Sequence, residues 1–214
     1  MSEPDAVFLK LKIARPDLLR WLDAPVPRAS QWSDWREIGG SWYFKGGPRD
    51  INDISDEEML AQIAACDRTL SGMGSNRAAL RQIIDGAEAP FLKRASYDAQ
   101  SHEFVAGNLT YSENLLDFIE FLAVARGAAS FLGSEGSGVV LIRNFIWGDP
   151  NSEPARAAMR LGPGTTSSFM AEHERESAVG AFQEIADAML QIAQTMGEDG
   201  SNAPAPIDEL DALR

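Results

Sequence analysis

Residues 91–147, FLKRASYDAQSHEFVAGNLTYSENLLDFIEFLAVARGAASFLGSEGSGVVLIRNFIW, decide the fold class. Residues 91–97 and 103–109 read as two strands, and Asp98-Ala99-Gln100-Ser101 between them has the composition of a hairpin loop. A hairpin makes its two strands antiparallel. Ser112 then stands as the N-cap of a helix from Glu113 to about Leu132, with Leu115, Phe118, Ile119, Leu122 and Ala125 or Arg126 at helical spacing. After a glycine-rich turn at 133–138, residues 139–147 form a near-continuous apolar run of strand length, the pattern of a central, buried strand.

On the N-terminal side, residues 7–13 (VFLKLKI) predict an opening strand with Leu9, Leu11 and Ile13 on one face and Lys10 and Lys12 on the other. Pro16 suits the first turn of a short helix over 17–22, and residues 41–45 (SWYFK) are aromatic enough for a strand that Gly46-Gly47-Pro48 ends. Ser55-Asp56-Glu57-Glu58 spells a capping box, with Ile54 and Met59 placed as its staple, for a helix reaching about Leu70. Another helix follows over 77–84. Beyond the decisive stretch, residues 155–161 form a strand or a short helix, and a long helix over about 171–196 shows Val179, Phe182, Ala186, Met189, Ala193 and Met196 in its stripe. The pattern is α+β: one domain over 1–196, an antiparallel or mixed sheet covered by helices, a long C-terminal helix, and a mobile acidic tail over 197–214.

The 214 residues include 32 acids, 19 Lys and Arg, and 44% hydrophobic residues, giving a net charge of −13. Such a chain builds a core, and it repels phosphate backbones, so nucleic acid is not an expected partner. A single cysteine, Cys66, excludes an internal disulfide framework, and His102 and His173 lie too far apart for a paired metal motif. No metal, cofactor or catalytic residue is expected. The glycine run at 133–138 follows a helix and precedes a strand, the reverse of a phosphate cradle. With an acidic N-terminus and no uninterrupted apolar span, the sequence predicts a cytoplasmic protein without membrane contact.

Three features are candidates for partner binding. Asp50, Asp53, Asp56, Glu57 and Glu58 put five acids in nine residues. Helix-start electrostatics explain Asp56 to Glu58, and a basic partner would explain Asp50 and Asp53. Glu113, Asp117 and Glu120 form a carboxylate stripe at i, i+4, i+7, read as a protein-binding face or, as an alternative, a hydrolase's metal ladder through Glu113 and Asp117. Trp32 and Trp35, in a Pro/Ser-rich approach to Gly39-Gly40, are candidate interface anchors.

The residues Trp32, Trp35, Gly40-Ser41-Trp42-Tyr43-Phe44-Lys45-Gly46 and Leu109-Thr110-Tyr111, on a strongly acidic α+β chain, resemble bacterial polymorphic-toxin immunity proteins. The nearest type is the partner of restriction-endonuclease-fold toxins delivered by type VI secretion. The resemblance implies a small cytoplasmic, non-catalytic protein that plugs or distorts the active site of a cognate toxin. The acidity points the same way, because a nuclease toxin must present a basic cleft to its substrate and an inhibitor rich in Asp and Glu can fill it. A secretion adaptor or chaperone working through an apolar groove is the other non-enzymatic alternative.

Overall fold

The opening strand is built as its alternation predicts. A computed structural model describes residues 4–86, 92–144, 155–199 and 207–213. In it β1 (Asp5–Lys12) pairs antiparallel with β5 (Glu103–Ser112) on one side and β6 (Ser137–Arg143) on the other. With β4 (Lys93–Asp98), β7 (Ala157–Leu161) and β8 (Ser167–Phe169) the sheet has, among the described residues, six strands in the order β4-β5-β1-β6-β7-β8, every adjacent pair antiparallel.

The two faces of β1 feed two cores. Val7, Leu9 and Leu11 enter the larger one, together with buried residues of α1 (Arg15–Asp23), α2 (Asp56–Gly72), α3 (Asn76–Asp85) and α4 (Leu115–Gly127). Ala6 and Phe8 face the other way, toward α5 (Arg175–Asp199) and its Ala178, Val179, Phe182, Ala186 and Met189. Phe8 stacks on Phe182 with centroids 5.3 Å apart. Its strand partner is Gly107, where a Cβ would stand only 2.7 Å from the Phe8 ring, so the crossing requires glycine. The fold is α+β, with helices on both faces of an antiparallel sheet.

The capping box forms as spelled: Ser55 Oγ accepts from the Glu58 amide at 3.2 Å, and Glu58 Oε2 accepts from the Ser55 amide at 3.2 Å. The 41–45 strand is β2 (Ser41–Phe44), but Gly46-Gly47-Pro48 turns the chain instead of ending the sheet. Its return strand is β3 (Gly47–Asp50), across a two-residue turn in which Lys45 and Gly46 have φ of 47° and 91°. Left-handed geometry at both positions is what such hairpins need, and Gly46 supplies it freely.

Two expectations are corrected, the helix start after β5 and the tail, and one left open between strand and helix is decided. The helix after β5 starts two residues late: Asn114 is the N-cap of α4, its side chain accepting from the Leu116 amide at 3.2 Å. Ser112 instead accepts from the Asn114 amide at 3.0 Å and donates to Asp117 Oδ2 at 2.6 Å. The segment 155–161 resolves as strand β7, and β8, too short and polar to read, follows it. The tail is not free throughout: 197–199 continue α5, and residues 207–213 dock beside β4, with Leu210 and Leu213 buried in the larger core. Residues 145–147 of the apolar run and 200–206 and 214 of the tail lie outside the described residues.

Candidate partner-binding groove

Helix α2 places Asp56, Met59, Leu60 and Ile63 at i, i+3, i+4 and i+7, on one face. Met59 and Ile63 are buried, but Leu60 is 66% exposed, the most open large apolar side chain among the described residues. Facing them is the loop that carries two 3-10 turns, Ala29–Gln31 and Trp35–Ile38. The Ser30 amide ties this loop to Asp67 of α2 at 3.1 Å, and Trp35 Nε1 donates to the Ala29 carbonyl at 2.9 Å. Arg36 closes one end, donating to the carbonyls of Ile51 and Ile54, both at 2.7 Å, and to the Asp56 carboxylate at 2.8 Å. Between the walls lies a groove of about 380 Å³, lined by Trp32, Arg36, Asp56, Met59, Leu60 and Ile63 among others.

The Trp32 wall is held from behind. Arg126, at the C-terminal end of α4, is 1% exposed. Its guanidinium lies 5.1 Å from the Trp32 ring, 4.7 Å from Trp35 and 5.2 Å from Phe169. Asp34 neutralises it through both carboxylate oxygens, one at 2.6 Å. A desolvated cation with a bidentate carboxylate and three aromatic faces is a rigid support, so the groove is preformed on the Trp32 side.

The sequence candidates are distributed unevenly around this groove. Trp32 and Asp56 line it, and Glu57 follows Asp56 on the exposed start of α2, three residues before Leu60. Asp53 is exposed just before the Ser55 cap. Asp50 is spoken for: its side chain accepts from the Asn52 amide at 2.8 Å, capping the 3-10 turn Ile51–Asp53. Glu58 is neutralised by Arg49 at 3.1 Å, and that hydrogen bond holds its carboxyl down at about 2. Trp35 borders the groove yet is only 1% exposed, so it supports the wall and cannot serve as a free anchor.

The stripe Glu113, Asp117, Glu120 is a correction. Glu113 precedes α4, so the three do not share a helix face. Asp117 is half-buried and takes the Ser112 hydroxyl, while its carbonyl accepts from the Tyr111 hydroxyl at 2.8 Å. Glu120 is 8% exposed, and burial pushes its carboxyl up to about 7, with the Thr69 hydrogen bond opposing and Asp117 adding to the rise. Nearby Cys66 is buried, its thiol pushed up to about 12 by burial and its Sγ 3.6 Å from the Leu116 carbonyl. This is an interior cluster, and the hydrolase ladder through Glu113 and Asp117 loses the helical spacing that suggested it. Among the described residues no three His, Cys, Asp or Glu side chains are placed to hold a metal ion.

Sequence reasoning missed Leu60 and Arg36. Leu60 left a signal, an apolar residue one step out of phase with the Met59, Ile63, Cys66, Leu70 stripe; Arg36 left none, since its acceptors come from another loop. No helix among the described residues is long and apolar enough to cross a membrane. No protein-family model, curated protein or solved structure matches the chain.

Proposed function

We propose that this protein is an immunity-type inhibitor that binds a basic toxin domain, a nuclease in the reading the sequence resemblance favours, and neutralises it by covering its active-site cleft. The observation that supports the reading is the groove itself: an apolar floor of Met59, Leu60 and Ile63 beneath a rim bearing Asp56, whose open carboxylate is shared with Arg36, and with Glu57 and Asp53 exposed nearby. An apolar anchor from the partner fills the floor, while Lys or Arg around it meets the rim, the division of labour expected of charge-steered interfaces. The net charge of −13 extends the attraction over the whole molecule.

The experiment is co-expression with the toxin encoded beside this gene, scored by survival, with Leu60→Asp and Asp56→Lys in parallel. Wild type protects, and Leu60→Asp loses protection while its thermal midpoint stays near wild type. Absence of protection by wild type, or full protection by both variants, overturns the reading. The exposed Leu60 also favours a second reading, a secretion adaptor that holds an apolar segment of its cargo. In that case Leu60→Asp abolishes cargo export and wild type confers no resistance to the toxin's activity.

A further inference from the structure

The docked segment 207–213 (IDELDAL) lies along the outer edge of β4 and against α3. The Ala95 amide donates to the Ile207 carbonyl at 2.9 Å, and the Ala95 carbonyl accepts from the Glu209 amide at 2.8 Å. The Tyr97 amide donates to Glu209 Oε2 at 3.0 Å. β4 is the edge of the sheet, so these are the bonds of a short strand added in parallel. The side chains add a code. Arg81 holds Asp208 through two bonds of 2.5 and 3.2 Å and reaches Asp211 at 3.0 Å. Arg77, one helical turn earlier, donates to the Leu210 carbonyl, and Lys93 stands 3.6 Å from Asp208. Leu210 and Leu213, three residues apart, are 0% and 6% exposed in the larger core.

Strand addition at a sheet edge, two apolar sockets and a cationic stripe on the neighbouring helix are the parts of a peptide-recognition trough. Every contact is made by a contiguous segment of seven residues, so the chemistry does not depend on the segment belonging to the same chain. On that helix Arg81 selects negative charge through Asp208 and Asp211, and Lys93 of β4, which also holds Asp85 at 2.7 Å, adds to it, while Arg77, paired with Asp23 at 3.0 Å, offers a donor to the segment's backbone; the sense is opposite to that of the rim at Asp56. We propose that this trough is a second binding site, for an acidic segment of another protein that offers carboxylates around a Leu-x-x-Leu pair, and that residues 207–213 occupy it in cis as a competitor. Tethering gives the cis segment an effective concentration of about millimolar order, so a free peptide of the same sequence competes poorly until the cis copy is weakened.

The test uses the full chain carrying Leu210→Asp and Leu213→Asp, and a fluorescent synthetic peptide of residues 207–214 read by anisotropy. The double variant binds the peptide at least about tenfold more tightly than wild type, and adding Arg81→Glu reverses that gain by about tenfold or more. A folded double variant that does not bind the peptide overturns the proposal. Amide exchange on the wild-type chain decides it independently of how the variant folds: Glu209 and Leu213 exchange at least about a hundredfold faster than Val105 and Gly107 of β5. Equal rates overturn the proposal, because a trough emptied only by global unfolding admits no partner. Dimerisation of wild type that Arg81→Glu abolishes also overturns it, by making a second copy the occupant.

Discussion

Glu120 enters the contact between α2 and α4 as a carboxylic acid whose proton is worth more folded than unfolded. The unfolded chain ionises it near the ordinary 4.5, whereas burial holds the proton to about 7 in the folded protein. Folding therefore takes up a proton between those values: the stabilisation is complete below about pH 4.5 and drains away as pH rises through about 7. Glu58 works in the opposite sense and in a lower window, since its depressed value gives stability above about 4.5 that is lost as pH falls toward 2. Glu120→Gln should then flatten the decline in thermal midpoint between about pH 5 and about pH 8 and stabilise the protein at the upper end by on the order of 1–3 kcal/mol. An unchanged slope in the variant would show that the carboxyl is already ionised. A second residue-scale prediction concerns strain. Thr165, in the β7–β8 turn, has φ of 74° beside Gly164 at 69°, a left-handed conformation that a β-branched side chain adopts at a cost. Thr165→Gly or Thr165→Asn should gain about 1 kcal/mol and raise the midpoint by about 2–4 °C in calorimetry; a fall would reveal a needed contact of the threonine side chain.

At the scale of elements, the segment 207–213 behaves as structure. Removing residues 207–214 uncovers the sockets of Leu210 and Leu213, each leucine worth about 1.5–3 kcal/mol of burial. It also leaves the Ala95 amide and carbonyl without their strand partners. The truncated chain should melt at least about 6 °C below the full one, the scale for a domain of this size; an equal midpoint would mean that docking adds nothing net. Ser55-x-x-Glu58, the alternation of Val7 to Ile13 and the hairpin of β4 and β5 were legible because each signal and its structural consequence lie within one turn or one pair of strands. The tail was not, because a Leu-x-x-Leu pair among aspartates has too little apolar surface to order itself. Its socket is assembled by α3 and β4, far away in sequence. The same reason explains Glu120, whose polar stripe reads as a solvated helix face until α2 covers it. At the groove, Trp32 and Asp56 were legible from residue type, while the wall opposite Leu60 depends on Arg36 bridging two loops and on Arg126 seated under Trp32.

For the whole molecule, charge and apolar surface act on different steps of association. The excess of acids is uneven: residues 1–107 hold 16 acids against 13 Lys and Arg, and residues 108–214 hold 16 against 6, so the second half contributes −10 of the −13. A field of that size draws a basic domain from beyond contact range, and salt shortens its reach, the Debye length falling from about 30 Å at 0.01 M to about 3 Å at 1 M. In the proposed complex the groove acts only after contact, when Leu60 and its neighbours lose water. In stopped-flow mixing with the proposed toxin partner, raising sodium chloride from about 0.05 M to about 0.5 M should slow association by about tenfold or more and alter dissociation by less than about twofold. Leu60→Asp should do the reverse, speeding dissociation by about tenfold or more while leaving the salt dependence of association largely intact. Salt that speeds dissociation as much as it slows association would mean that ion pairs hold the complex together, and the groove would no longer be its anchor.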